Sequence, residues 1–590
     1  MIIMWRILSL LFFWSLSITS YAGTPPSNLP NLELPAIIAP DALTNKQPVL
    51  PDKTLTPFPE QPEFKLPKLD VKPEDNQQLS TQYSLFVKKI IIIGNTVFAD
   101  SQLKTITSQY ENRTVTNRQL QTLRYQLTRY YIDHGYINSG VMLPDQEISN
   151  GVVRLQAIEG KLSEITVSGN TWLRTSYIKK RIKQHLAPVL NINKAQENIL
   201  LLQQDPLIDR INAALSPGTK PGESRLNVAV VEAKPYQAGV IAANDRSPSL
   251  GHISGKVWVR HNNLTGFGDG LFFSYTGMEG LDDFYASYSV PVSAYNTRLN
   301  FYHQNSNSDV VGIKLNNVSI KSHSTLYGIA LSQPFYRTAK QTLSASLAFE
   351  YRRSKTFFNN QPQSFALGVP DKGQNKGVSK IAVLRFSQNW LDRDQTQVIA
   401  ARSTFNFGIN VLGATHHSNG QPDGQFFSWL GQFQWVKRLP ILNSQILFHA
   451  NLQLANDTLL PLEKMSIGGR YSVRGYRENQ YVRDNGTSAS LEWRFPVFRL
   501  PIPGLSKSIA DGRVQLATFA DFGWAKNTEV KSPAPNTIWS WGLGILWDPS
   551  PKLHSELYWG RPFRSIRRGQ RTKHDIQDYG IHFQLNIRAL

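Results

Sequence analysis

Toward the C-terminus, apolar and polar residues alternate almost one for one. Ile446, Phe448, Ala450 and Leu452 fall on one parity, and Gln445, His449, Asn451 and Gln453 on the other. Leu491, Trp493 and Phe495 oppose Ser490, Glu492 and Arg494, and Trp539, Trp541, Leu543, Ile545 and Trp547 oppose Ser540, Gly542 and Gly544. The last run sets Tyr579, Ile581, Phe583, Leu585 and Ile587 against His582, Gln584, Asn586 and Arg588. Successive side chains of a strand point to opposite faces, so each run predicts a strand with one apolar and one polar face. Segments of this kind recur from residue 234 to residue 590, separated by Gly, Asn, Asp and Pro. Sixteen are counted, beginning near residues 237, 253, 270, 283, 296, 324, 342, 377, 396, 425, 444, 486, 512, 537, 552 and 578.

An even strand number suits a closed antiparallel barrel whose two ends lie on the same side. If the first strand runs away from the preceding residues, even-to-odd connections should be tight and odd-to-even connections long. Leu264 to Asp269, Leu391 to Asp394, Leu439 to Asn443 and Asp548 to Lys552 are tight. The stretches 306–323, 355–376, 411–423, 456–485 and 563–576 are long, with 498–511 the exception on the tight side. Apolar outside and polar inside fits a membrane barrel with a wet lumen; a soluble β-sandwich alternates as well, but the strand number and the tryptophan-rich apolar face favour the membrane.

Upstream the period changes. Residues 86–93 form a β-branched run ended by Gly94-Asn95-Thr96, which reads as a strand and a turn. Leu120, Leu123, Leu127 and Tyr130 then recur at helical spacing, with Thr116 or Asn117 as N-cap and Gly135 as the stop. Residues 137–143 and 152–158 read as two further strands, completing a β-α-α-β-β unit. The order repeats: a strand at 162–167, the turn Gly169-Asn170-Thr171, helices near 176–186 and 194–204, and strands at 208–215 and 226–231. The two turns lie 75 positions apart, which together with the matched element order marks an internal repeat. Residues 23–83 carry twelve prolines and read as an extended linker; only 37–43 leaves room for a short helix. At the N-terminus, Arg6, the apolar run 7–18 and Ser20-Tyr21-Ala22 have the form of a secretory signal peptide over 1–22, too short to span a membrane.

Composition narrows the classes. The 590 residues contain no cysteine, so disulfides, zinc-thiolate sites and a cysteine nucleophile are excluded. The balance of 63 basic and 43 acidic residues, a net +20, points to phosphate-rich surroundings or a charged pore. Export points away from nucleic acid. One acid stands out: in the strand 514–524, Asp521 shares its parity with Gln515 and Phe519, opposite Val514, Leu516, Phe522 and Trp524. An acid on the inner face of a membrane strand needs a cation, and Arg474, in the preceding loop Val473-Arg474-Gly475-Tyr476, is the candidate. His416 and His417 sit in an outer loop and read as solvated rather than as a metal site. Arg561, Arg564, Arg567, Arg568, Arg571 and Lys573 make a basic outer loop suited to lipopolysaccharide phosphates or the pore mouth, or simply solvated. No nucleophile elbow or phosphate loop is present, so neither an enzyme nor a cofactor is expected.

Four stretches resemble the two-partner secretion translocators of the Gram-negative outer membrane, the haemolysin or filamentous-adhesin secretor type within the POTRA-bearing translocase and insertase superfamily. They are 135–160, the pair 215–218 and 221–226, Asn263-Leu264-Thr265-Gly266-Phe267-Gly268-Asp269, and Val473-Arg474-Gly475-Tyr476 with Phe519-Ala520-Asp521-Phe522-Gly523. The resemblance implies POTRA domains over 84–160 and 161–233 in the periplasm and a sixteen-stranded barrel over 234–590 in the outer membrane. It implies that the POTRA units capture a large unfolded exoprotein and that the pore carries it to the surface. By β-augmentation the client would pair with a strand edge made by Ile137, Asn138, Ser139, Gly140, Val141 and Leu143. The loop 456–485 would fold into the lumen, where Arg474 meets Asp521, with Val473, Gly475, Tyr476, Phe519 and Gly523 around them. Outer-membrane lipid, lipopolysaccharide and the barrel-assembly machinery are the other implied partners. An assembly insertase is the alternative, disfavoured by 135–160 and by only two POTRA units; a passive porin would not need the repeats.

Overall fold

The computed structural model describes residues 84–589 except 185, 187, 221, 312–318, 366–375, 418–421 and 567–573. The expected signal peptide 1–22, the proline-rich segment 23–83 with its short helix at 37–43, and Arg567, Arg568, Arg571 and Lys573 of the basic loop lie outside the described residues.

The first α/β unit contains β1 (Ser84–Val87), β2 (Lys89–Ile93), α1 (Asp100–Thr107), β3 (Arg113–Thr116), α2 (Asn117–Asp133), β4 (Gly140–Met142) and β5 (Val152–Ile158). The β-branched run is broken at Lys88. The N–H groups of Lys88 and Lys89 both donate to the Gly151 carbonyl, and there the chain leaves its pairing with β3 for a parallel pairing with β5. Thr116 caps α2, accepting from the Gln119 N–H while the Gln119 side chain accepts from the Thr116 N–H. Leu120, Leu123, Leu127 and Tyr131 form the buried face of α2. The aromatic member is therefore Tyr131 rather than Tyr130, since 3.6 residues per turn carries the stripe to 131. Burial, reinforced by the Glu159 carboxylate, pushes the Tyr131 phenol well above its ordinary value and keeps it a donor.

The second unit contains β6 (Lys161–Ser168), α3 (Thr175–Ile182), α4 (Ile192–Gln203), β7 (Ile208–Pro217) and β8 (Glu223–Glu232), with sheet order β6-β8-β7. The repeat extends to a carboxylate that sequence reading passed over. Glu159 accepts from the N–H groups of Thr96 (2.7 Å) and Val97 (3.1 Å), and Glu232 from those of Thr171 (3.1 Å), Trp172 (2.7 Å) and Leu173 (2.9 Å). In each unit an acid just past or at the end of the last strand closes the Gly-Asn-Thr turn. Gly94 and Gly169 take φ of +84° and +82° there, a conformation that favours glycine.

The barrel follows with β9 (Tyr236–Ala243), β10 (Ser254–His261), β11 (Gly270–Met278), β12 (Leu281–Pro291), β13 (Arg298–Asp309), β14 (Ile320–Arg337) and β15 (Gln341–Phe358). The two-residue β16 (Gln361–Pro362) only extends β15. Next come β17 (Val378–Arg393), β18 (Gln397–Gly408), β19 (Phe427–Leu439) and β20 (Ser444–Ala455), then β21 (Met465–Ile467) and β22 (Tyr481–Arg483), which pair only with each other. The last five are β23 (Asn485–Arg499), β24 (Arg513–Lys526), β25 (Thr537–Ser550), β26 (Leu553–Pro562) and β27 (Ile581–Arg588). Sixteen spanning strands close when β27 pairs antiparallel with β9. The expectation of long outer connections fails between β11 and β12, where Glu279-Gly280 alone makes the turn. Among the described residues no helix is long and apolar enough to cross a membrane; this chain crosses with strands.

The turn 262–269 explains its own sequence. Asp269, fully buried, accepts from the Thr265 N–H (2.9 Å), the Thr265 hydroxyl (2.8 Å) and the Tyr288 hydroxyl (2.9 Å). Burial alone would raise its carboxyl; these donors hold it below its ordinary value. The second unit docks on this turn: Asn263 donates to the Trp172 carbonyl at 2.8 Å, Arg174 Nε donates to the Thr265 carbonyl at 3.1 Å, and the Arg174 guanidinium lies 4.3 Å from the Phe267 ring centroid.

Candidate functional site

The connection from β20 to β23 enters the barrel instead of leaving it. Its tip packs an apolar knot of Met465, Ile467, Val473, Tyr476 and Tyr481 against Ala525 and Ile538 of the wall. Within it Arg474, 4% exposed, meets three wall side chains at once. Nε and Nη2 donate to the two oxygens of Asp521 on β24, each at 2.9 Å, and the Arg474 backbone N–H adds a third 2.9 Å bond. Nη1 donates to Glu492 and Nη2 to Ser490 (2.8 Å), both on β23. Alternation dictates this grouping: Ser490 lies opposite Asp521 in the β23–β24 ladder, and Glu492 shares its inward parity. The Phe519 ring lies 3.6 Å from the guanidinium, and Tyr558 approaches from β26 at 4.8 Å. A guanidinium removed from water is thus matched by two carboxylates and two aromatic faces, the pairing a buried charge needs.

All seven expected residues, the ion pair and the five around it, meet here. Gly523 is small because Val473 and Ile467 occupy its side; a Cβ there would lie 2.8 Å from Val473 and 2.6 Å from Ile467. Gly475 takes φ +94° and passes directly over Gly560 of β26. The Tyr476 hydroxyl donates to the carbonyls of Trp539 (3.1 Å) and Arg564 (3.0 Å). Sequence reading missed Gly560 and Gly580, which complete the close approach, and Glu492 and Ser490. The signal for Glu492 was present, since it sits among inward-facing polar positions of β23.

A second anchor, also missed, holds the loop to another sector of the wall. Arg385 on β17 donates from Nη2 to both oxygens of Glu463, at 2.8 and 3.0 Å, and from Nε to Glu350 on β15 at 3.0 Å. Arg352 on β15 donates to the Leu462 carbonyl at 3.1 Å. The loop therefore straps β15 and β17 to β23 and β24 through the lumen. Beside it remains a cavity of about 560 Å³ lined by polar side chains including Asp283, Glu350, Arg385 and Ser387.

The six residues expected as one strand edge divide. Only Gly140 and Val141 lie in β4, one of the two edge strands of the order β2-β5-β4. Ile137 packs with Leu190, Ile192 and Ala195 of the second unit, and Asn138 donates to Ser224 Oγ (3.0 Å) and the Gly222 carbonyl (3.3 Å). Ser139 accepts from the Gly160 N–H at 2.9 Å, and Leu143 packs on the first unit's core. The tight turn after α2 faces the neighbouring unit, so the strand cannot begin at 137. The edge itself is covered: the Thr128 hydroxyl of α2 accepts from the Val141 N–H at 3.0 Å and donates to its carbonyl at 3.4 Å. His416 is exposed to solvent as expected, with Nδ1 3.2 Å from Asp423 Oδ2, and His417 is half-buried, its backbone N–H donating to the same oxygen at 3.3 Å.

A closed antiparallel barrel with a strapped internal loop, preceded by two α/β units, defines an outer-membrane secretion pore. The chain belongs to the haemolysin secretion/activation protein family ShlB/FhaC/HecB, whose model matches residues 222–546; the ShlB-type POTRA model matches residues 85–160. Relatives include the outer membrane transporter CdiB of Dickeya dadantii (strain 3937), 22% identical over 472 residues that cover 78% of this chain and 79% of the relative. The heme/hemopexin transporter protein HuxB of Haemophilus influenzae (strain 86-028NP) is 24% identical over 458 residues, 75% of this chain and 76% of that one. Among solved structures, CdiB from Escherichia coli aligns with a TM-score of 0.65 at 20% identity, covering 88% of this chain and 93% of that chain, a likeness of fold. The chain resides in the outer membrane with its N-terminal units in the periplasm and exports a partner protein.

Proposed function

We propose that this chain secretes one large exoprotein of the haemolysin/adhesin type, and that its internal loop is the element that must yield. The observation that carries this reading is the double anchorage of the loop, at Arg474 and at Glu463, across a lumen a client must traverse. The unfolded client pairs with the β4 edge in the periplasm, taking the place of the Thr128 hydroxyl at Val141. Backbone pairing of this kind supplies affinity with little demand on client sequence. Arg474 and Asp521, with Val473, Gly475, Tyr476, Phe519 and Gly523 around them, lock the loop's seat; they perform no covalent chemistry, and the chain acts as a pore rather than as an enzyme. Folding of the client outside draws it through. Arg561, which lies near the end of β26 rather than in the loop, and Arg564 just beyond it face lipopolysaccharide phosphates, and β27 presents the terminal strand to the barrel-assembly machinery.

The test is translocation into proteoliposomes holding the purified chain, with urea-unfolded exoprotein supplied on the α/β side. Protease-protected client is expected with the full chain and none after removal of residues 84–160. Equal protection from both would remove the capture role, and none from either would remove the pore role.

A further inference from the structure

A cleft of about 550 Å³ lies where the second α/β unit meets the periplasmic rim of the barrel. One wall is α3 and α4, the other the β12–β13 turn and the foot of β14. Two guanidiniums line it, Arg181 from α3 and Arg337 from the last position of β14. Arg181 is 8% exposed, stacked 3.5 Å from the Tyr177 ring centroid. It donates to the Tyr177 carbonyl (3.4 Å) and to Asn296 Oδ1 (2.9 Å), and its Nε is buried with no acceptor. Among the described residues no carboxylate forms an ion pair with either arginine. The acids nearby are engaged: Asp205 accepts from the Tyr177 hydroxyl (2.5 Å) and the Leu207 N–H (3.0 Å), and Glu197 pairs with Lys194 at 3.4 Å. Burial lowers the Arg181 pKa, and the neighbouring positive charges of Arg337 and Arg298 lower it further against Tyr177 and Asp205. Asp205 partly offsets the charge of both guanidiniums but is bonded to neither, so the cleft, with Arg181, Arg337 and Lys194 against Asp205 and Glu197, keeps positive charge for an anion, and phosphate suits the guanidinium fork.

The surroundings specify which phosphate. The cleft opens beside Phe335 and Tyr336, 71% and 52% exposed, and Tyr295, 49% exposed. Outward aromatic residues near strand ends mark the depth of the lipid headgroups. Beyond them the outer face of β14 and β15 continues as Leu331, Ile329, Leu343 and Leu347, all exposed and apolar. A molecule with a phosphate in the cleft and hydrocarbon along that face satisfies both halves.

We propose that this cleft binds the headgroup phosphate of a phospholipid from the periplasmic leaflet, with its acyl chains lying along β14 and β15. The lipid bridges α3 and β14 and so staples the second unit to the rim.

The test is native mass spectrometry of the full chain in detergent, titrated with dioleoylphosphatidylglycerol, dioleoylglycerol or inorganic phosphate. Retention of one phosphatidylglycerol is expected, weakened about tenfold or more in Arg181→Gln/Arg337→Gln, since each charge-assisted bond is strong. Lys180→Gln/Lys183→Gln, which removes two exposed charges of the same helical region outside the cleft, should bind as the parent does. Heat-modifiable gel mobility reports whether each barrel is folded. If the double variant fails that check, Arg337→Gln, which leaves the Arg181–Asn296 contact intact, carries the comparison. Unchanged phosphatidylglycerol retention in the folded variant overturns the proposal. So does equal retention of dioleoylglycerol, or displacement of the lipid by inorganic phosphate or an acidic peptide at equal concentration.

Discussion

Arg474 and Asp521 are joined by three hydrogen bonds of 2.9 Å, one from the backbone N–H, one from Nε and one from Nη2. Because the backbone takes part, the aspartate fixes the path of the loop as well as the position of a side chain. Removing one member of a buried pair costs about 3–5 kcal/mol. Arg474→Ala should therefore leave a folded barrel, judged by heat-modifiable mobility, with the loop open to protease and secretion reduced at least tenfold. Arg474→Lys keeps the charge without the fork and should fall between. Normal secretion by Arg474→Ala would strip the pair of its role.

The glycines beside that pair make a second test. A Cβ on Gly560 would lie 2.6 Å from the Gly475 nitrogen and 2.7 Å from the Arg474 carbonyl carbon. Gly560→Ala should unseat the loop about as fully as Arg474→Ala, although it touches no charge. Gly255→Ala on β10, where nothing lies within 4 Å of the added carbon, should secrete normally. Equal secretion from both variants would show that the close approach is dispensable.

At the other anchor, Glu463→Gln and Arg385→Gln should each lengthen channel openings in planar bilayers. Their effects should be non-additive, with a coupling of about 0.5–3 kcal/mol, because the two groups form one hydrogen-bonded ion pair. Strict additivity would mean that Glu463 and Arg385 act separately.

Thr128→Ala should free the N–H and carbonyl of Val141. Client binding to the periplasmic units should strengthen by up to about tenfold, as the hydroxyl no longer competes for that edge. Weaker binding, measured by calorimetry, would assign Thr128 to client contact instead of edge cover.

Asp269 supplies a pH dependence. Its carboxyl is held below the ordinary value, so its contribution to the turn is present above about pH 4 and is lost as the pH falls through the lowered value. Spin labels on α3 and the β12–β13 turn, placed in a chain without native cysteine, should report loosening of the second unit in that acid range. Asp269→Asn should show the same looseness at neutral pH. A variant distance distribution matching the parent would detach Asp269 from docking.

Much of the architecture was legible along the chain. Alternation of period two predicts strands wherever one face meets lipid, and the barrel strands begin within a few residues of where that pattern starts. The helical stripe of Leu120, Leu123 and Leu127 and the paired Gly-Asn-Thr turns were legible for the same reason: each is a local consequence of backbone geometry. Arg474 and Asp521 could be paired because an inward acid on a membrane strand demands a cation. What the tertiary structure alone decided is which distant groups meet. Glu492 joins Arg474 through the β23–β24 register, Glu463 reaches Arg385 because the loop folds inward, and Gly560 faces Gly475 because β26 passes beneath the loop tip. Thr128 covers Val141, and Arg181 comes beside Arg337, only once a helix is docked on a sheet edge or a barrel rim. Such contacts follow from the closure and packing of whole elements, which no local periodicity encodes.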